Sequence, residues 1–407
     1  MRRAISSPHT VRVSSRAAAA AIGVAAAVLL VASGGCGGSG GSGGSAEEAT
    51  STAAKPLPSA DLFVAPDGSD QGTGDRDQPL RTLEAAHAAA APGDVVEVTG
   101  GDYPAQEWTA PARGPTDPVI FRAAPGEEPR FAYLRLRDVD DVELRDIATE
   151  GWYIDSGSER VTLREVRSSV NGNFITSASD VAVMGGTIGP VDSSDGIQVK
   201  RAEGLPNPRR ILIDGLRMSD ITRRAEPDRH VDCIQFGAGE EVVITGARFD
   251  GCATQGVFLR PFGGGVIRDV LIENNWFGSV PEGFSGLIVD EDVGPGAGIV
   301  VRHNSSLMGM RIEPEGAQVV ANIAPLEQAS CRDGVVYRTN LWSQARCDGS
   351  DHAGDPAFVD AAALDLRLGP SSPAIDRADP ADATARDIEG TTRPRGDAPD
   401  IGAWEAP

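Results

Sequence analysis

The chain has 407 residues, 59 acidic against 37 basic side chains and a formal net charge of −22. This balance excludes electrostatic binding to nucleic acid or to anionic membranes, and no nucleic-acid partner is expected. The length could hold two or three average domains, but a solenoid can use it as one body.

The N-terminus reads as a targeting segment. Arg2, Arg3, Arg12 and Arg16 make it positive, and residues 17–32 form an apolar run. That run is shorter than the ~20 residues of a comfortable membrane span. Ser33-Gly34-Gly35 then precede Cys36. The arrangement resembles a bacterial lipoprotein signal. It implies a signal peptide over residues 1–35 and Cys36 as the lipid-modified first residue, with plain secretion as the alternative. Residues 36–58 are rich in Gly, Ser and Ala and read as a flexible tether. The expected location is extracellular, lipid-anchored to the cell membrane or secreted, with that anchor as the sole membrane contact.

Four cysteines follow Cys36, in a disulfide-permissive context. Cys331 and Cys347 bracket a non-repetitive stretch and are expected to be bonded. Cys233 and Cys252 are expected to be separate, small buried residues. Their offset on neighbouring repeats, taken along an extended strand, exceeds the roughly 7 Å limit between Cα atoms.

The folded part opens at Asp61. A turn-rich loop over residues 65–74 leads to an amphipathic helix predicted over residues 79–91, with Leu80, Leu83, Ala86 and Ala90 at helical spacing. Pro92-Gly93-Asp94 ends it, and Val95 to Val98 is a strand. The phrases Phe63-Val-Ala-Pro-Asp-Gly-Ser-Asp, Pro79-Leu-Arg-Thr-Leu, Ala91-Pro-Gly-Asp-Val-Val-Glu-Val and Gly101-Asp-Tyr carry a resemblance. They look like the start of bacterial right-handed parallel β-helix proteins of the pectin-lyase-like superfamily. The resemblance implies an all-β, right-handed coil whose N-terminal end the helix caps.

Seven alternating segments follow, beginning at Val142, Val161, Val181, Ile211, Val242, Val270 and Ile299, at spacings of 19, 20, 30, 31, 28 and 29 residues. Each would bury one face inside a coil. Gly185-Gly186, Gly215, Gly246, Asn274-Asn275 and Asn304 follow at a fixed offset and suit sharp corners. The longer periods place insertions at residues 202–210, 223–229 and 261–265. The predicted β-helix spans residues 59–325. Residues 326–407 resemble the C-terminal capping tail of exported β-helix proteins; its aspartates are open to calcium binding or to simple solvation.

Equivalent residues on successive coils stand about 4.8 Å apart. Asp195, Asp232, Gln255 and Ser285 then share one column, Gln198, Gln235 and Phe258 another, and Lys200, Gly237, Arg260 and Asp290 a third. His230 precedes Asp232 by two residues and Asp192 precedes Asp195 by three. Strict alternation would divide residues 195, 198 and 200 between faces unless a bend intervenes. Lys200 is also the one lysine beyond the tether, the other being Lys55. The candidate catalytic residues are Asp195, Asp232, His230, Lys200 and Arg260, and the candidate substrate-binding residues are Gln198, Gln235 and Gln255. Trp152, Tyr153, Trp276 and Phe262 are open to sugar stacking or to packing.

The expected partner is a polysaccharide and the expected state a monomer. A lyase leads: a base removes the proton beside a uronate carboxylate while calcium or arginine neutralises that carboxylate. Lys200 or Arg260 would be base or neutraliser. The resemblance implies calcium as the expected cofactor, on Asp192, Asp195 and Asp232. A glycoside hydrolase using a carboxylate pair is the alternative. Asp195-Gly196 resembles the Asp-Gly of polygalacturonases, although their adjacent Asp-Asp pair and Gly-His-Gly are missing. His230 could orient a catalytic acid or join a metal pair, and a single histidine in the segment argues against zinc. A non-catalytic carbohydrate-binding or cell-surface protein is the third reading, since turn-adjacent Asp and Asn also cap corners.

Overall fold

Val161 and Leu163, Val181 and Val183, Ile211 and Ile213, and Val242 and Ile244 all point inward and are buried. Their strands pair in parallel and in register, Val142 to Val161 to Val181 to Ile211 to Val242 to Val270 to Ile299. The computed structural model describes residues 59–110, 115–281, 284–325, 331–344 and 346–407. The signal segment, Cys36 and the tether lie outside the described residues.

The chain winds through three parallel sheets. The first has 12 strands, from Leu62–Val64 to Val336–Arg338, and the second has 12, from Gly101–Tyr103 to His352–Ala353. The third has nine, from Gln106–Thr109 to Met310–Ile312. One coil is thus Arg209–Asp214, Arg217–Thr222 and Ile234–Phe236. The coils run on past residue 325, because Val336–Arg338, Leu341–Trp342 and His352–Ala353 extend the first and second sheets.

From Asp140–Arg145 onward, the corner after each first-sheet strand uses one backbone state. Asp146, Glu165, Gly185, Gly215, Gly246, Asn274, His303, Ala321 and Thr339 all have φ between 50° and 70°. Glycine takes this state without penalty, whereas other residues give up of order 1 kcal/mol each. The left-handed residue in the later coils is therefore His303, one before the expected Asn304. The asparagines behind it do different work. Asn275, Asn304, Asn322 and Asn340 stack as a buried ladder, Nδ2 to Oδ1 at 2.9–3.1 Å, which ends on Asp351. Each also donates to a backbone carbonyl of the preceding coil.

The N-terminal helix is Leu83–Ala89 (α1), shorter than predicted. Thr82 caps it by accepting from Ala85 N, and Asp70 Oδ1 accepts from Arg81 N and Thr82 N. Leu80 instead bridges to Val64. Leu83, Ala86 and His87 face the first coil, with the His87 ring 5.2 Å from Trp108. At the other end, Leu368, Ala374, Ala378 and Ile401 of the tail pack on Val320, Ala321, Ile323 and Leu341, along the flank of the last coils.

The insertions fall on both edges of the third sheet. Residues 223–229 lie where chain passes from the second sheet to the third, and residues 201–208 and 260–266 where it leaves the third for the first. They frame the outer face of that sheet as a floor between two loop rims.

Candidate functional site

Strands Ile197–Lys200, Ile234–Phe236, Val257–Leu259 and Leu287–Val289 are neighbours in the third sheet, paired Ile197 to Ile234 to Val257 to Leu287. Ile197, Val199, Ile234 and Phe236 point into the core. Gln198, Lys200 and Gln235 therefore point out. A bend at residues 193–196 breaks the alternation and turns Asp195 to the same side. Gly196 is needed there, because a Cβ would run into Met218 Cε and the carbonyl oxygen of Cys233.

The outward groups form one network. Lys200 Nζ donates to Gln198 Oε1 at 2.9 Å, and Gln198 Nε2 donates to Gln235 Oε1 at 2.9 Å and to Asp195 Oδ2 at 3.0 Å. Gln235 Nε2 reaches Asp232 Oδ2 at 3.4 Å, and His230 Nδ1 lies 3.1 Å from the same oxygen. Asp195 Oδ1 accepts the backbone N–H of Asp232 at 2.8 Å. Asp232 Oδ1 accepts from Thr254 Oγ1 and from Gln255 N. The Asp232 side chain is wholly buried and that of His230 is 43% exposed, so the aspartate is shielded from solvent and its histidine partner is not.

These surroundings shift three groups, two upward and one downward. Burial, reinforced by the neighbouring Asp232 charge, pushes the Asp195 carboxyl up to about 6. Burial lowers the Lys200 ammonium, although Asp195 and Asp155 pull it back. The hydrogen bond to Asp232 raises the His230 imidazolium. Titratable groups pushed apart in one place are the usual mark of acid–base chemistry.

The remaining candidates separate. Arg260 is more than half exposed and gives Nε to Asp292 at 3.2 Å, with Asp290 at 4.0 Å. It lies two coils beyond Lys200 and belongs to none of the bonds described above. Gln255, expected to touch substrate, is 5% exposed and contributes its backbone N–H to Asp232. Asp192, expected as a calcium ligand, has both oxygens occupied by the 222–225 loop. Oδ1 accepts from Thr222 Oγ1 and Arg224 N, and Oδ2 from Ala225 N. Asp232 has no open oxygen either. The three aspartates do not fit calcium as a set, and among the described residues no group of three or more His, Cys, Asp or Glu could hold a metal ion.

Phe174 and Thr254 escaped sequence reading, and Phe258 was placed in its column without a role. Phe174, in register with Gln198, lies 5.0 Å beneath Lys200 Nζ. The Phe258 ring packs 5.1 Å from that of His230. Thr254 completes the Asp232 shell. An apolar residue in an outward register was the available signal for both phenylalanines. Trp152 and Trp276 are buried at 2% and 3% exposure and belong to packing.

Cys233 and Cys252, expected apart, are disulfide-bonded with Cα atoms 5.3 Å apart. The extended-strand estimate failed because residues 252–256 turn the corner between the second and third sheets, so the two side chains meet across the coil interior. Cys331 and Cys347 are bonded as well, at 5.4 Å.

No protein-family model matches the chain, and no curated protein sequence matches it. Solved structures do. A pectate lyase, Pel9A, superposes with a TM-score of 0.54 at 16% identity, covering 85% of this chain and 96% of that one. A rhamnogalacturonan lyase gives 0.48 at 14%, covering 74% and 90%, and a XylC complex with xylose gives 0.42 at 9%, covering 84% and 98%. The first of these likenesses identifies the fold as a right-handed parallel β-helix.

Proposed function

We propose that the protein cleaves a uronate-containing polysaccharide by β-elimination on the outer face of the third sheet. The observation that carries the reading is the hydrogen-bonded line from Lys200 through Gln198, Gln235 and Asp232 to His230. It joins a cation whose charge burial disfavours to an imidazole whose charge is favoured. A lyase needs such a pair: a base able to be neutral and an acid able to keep its proton.

In this reading Lys200 Nζ removes the proton on the carbon bearing the carboxylate. That electron pair becomes a carbon–carbon double bond as the adjacent carbon–oxygen glycosidic bond breaks. His230 gives its proton to the departing oxygen, and both groups then re-equilibrate with solvent. Arg260 faces the substrate carboxylate and stabilises the charge that grows on it. Asp195 and Asp232 position their neighbours. Calcium supplies no step, because the aspartates assigned to it are engaged elsewhere. A carboxylate-pair hydrolase is disfavoured, since Asp232 reaches neither sugar nor water.

The positive, apolar N-terminus and Cys36 support export with lipid anchorage, and the site is complete within one chain, as a monomer requires. A panel of uronate and neutral polysaccharides tests the reaction, read by the ultraviolet absorbance of unsaturated ends and by reducing-sugar release. Unsaturated ends from a uronate polymer are expected. Reducing ends without unsaturation would point to hydrolysis, and binding without either product to a non-catalytic protein.

A further inference from the structure

The outward column through Lys200 continues, one residue beyond the paired Val199, Phe236 and Leu259, to Gly237 and Arg260. Gly237 lacks the side chain that would fill the gap between these cations. A ring fills it instead: a Cβ at Gly237 would collide with Cδ1, Cε1 and Cζ of Phe262. Phe262 therefore lies against the sheet floor, yet it stays 39% exposed.

Its backbone is held from several sides. Phe262 N donates to Gly237 O at 3.1 Å, and Gly265 N to Phe262 O at 3.0 Å. Gly263 and Gly264, at φ 60° and 74°, make the tight turn possible. Arg201 Nη1 donates to Gly264 O at 2.6 Å and Val266 N to Asn207 Oδ1 at 3.3 Å, which ties this turn to the loop two coils away. An exposed aromatic on so constrained a turn does not serve the core.

We infer that Phe262 is a sugar-stacking platform that sets which ring of an acidic polysaccharide lies between Lys200 and Arg260. The C–H face of a pyranose is apolar and weakly positive and packs on the negative face of an aromatic ring. Two coil steps separate the cations, roughly 10 Å, which leaves room for one ring over Phe262 with a carboxylate facing Arg260. The ring selects a sugar with an apolar C–H face, and the flanking cations select its negative charge. This assignment rests on the proposed reaction for the identity of the sugar but not for the contact itself.

The test uses the full mature chain as wild type, Phe262→Ala, Phe262→Leu and Phe262→Tyr, each also in a Lys200→Ala background. Binding to polygalacturonate, alginate and neutral xylan is read by affinity electrophoresis, and turnover by the absorbance of unsaturated ends. Melting temperatures establish that each variant is folded. Phe262→Ala and Phe262→Leu should weaken acidic-polymer binding and raise KM about three- to tenfold, with kcat within about twofold, while Phe262→Tyr behaves as wild type. Wild-type binding by the Leu variant would overturn the platform even if cleavage is intact. Aromatic-dependent binding without unsaturated ends would uphold the platform and overturn the β-elimination. A wild-type chain that neither binds nor cleaves any of the three polymers would overturn both.

Discussion

Lys200 and His230 stand at the two ends of an unbroken line of side-chain contacts, through Gln198, Gln235 and Asp232. The amide donors all point the same way along it, from the ammonium toward the Asp232 carboxylate. Such a polarised line holds both terminal groups in fixed rotamers and couples their environments.

The line makes His230 dependent on Asp232. Asp232→Asn removes the charge that raises the imidazolium. Turnover that requires protonated His230 falls as pH rises through its pKa, so this substitution should move the alkaline limb of the pH–rate profile to lower pH. His230→Ala should lower kcat by about 10²–10⁴-fold, the usual range for general acid–base groups. An unmoved alkaline limb in Asp232→Asn would exclude His230 as the acid.

Asp195 predicts a pH-dependent stability. Burial lifts its carboxyl to about 6, above the unfolded value of ~3.9. The folded state thus binds the proton more tightly. The associated stabilisation is fully present below about pH 4 and is lost as pH rises through about 6, of order 3 kcal/mol in all. Asp195→Asn keeps a carbonyl for the Asp232 N–H and does not ionise. Thermal unfolding from pH 4 to 7 should show wild type losing stability relative to this variant as pH increases. Parallel curves would contradict the buried carboxyl.

The Cys233–Cys252 bond closes a separation of 19 residues immediately beside Asp232. Chain-entropy arguments assign such a loop roughly 3 kcal/mol. Cys233→Ala with Cys252→Ala should lower the unfolding free energy by about that amount in denaturant titrations.

Arg393 anchors the tail. Its side chain is fully buried, donates to the carbonyls of Asp400 and Gly402 and lies 3.4 Å from Glu405. Arg393 Nη1 also lies 3.0 Å from His303 Nδ1 at the left-handed corner. Arg393→Met leaves Glu405 buried without its partner and should cost about 3–5 kcal/mol. Limited proteolysis should then cut within residues 355–407 first.

Much of this architecture is legible in the chain. The period-two segments gave the first sheet, and counting offsets aligned Asp195 with Asp232 and Lys200 with Arg260. What sequence could not give was the bend at residues 193–196, which reverses the alternation that would have hidden Asp195. Nor could spacing show that Asp192 is consumed by the 222–225 loop, or that a corner brings Cys233 to Cys252. These depend on where an irregular backbone turns. The lateral contacts of Phe174, Phe258 and Phe262 depend on register between strands that lie 23 to 37 residues apart in the chain.

The central claim is that Lys200 removes a proton in a β-elimination. Its most direct test is the rate of appearance of unsaturated ends from a uronate polysaccharide, for wild type and for a folded Lys200→Ala variant that still binds the polymer. The expected result is measurable formation by wild type and a loss of about 10³-fold or more in the variant. Equal rates in the two proteins would contradict it.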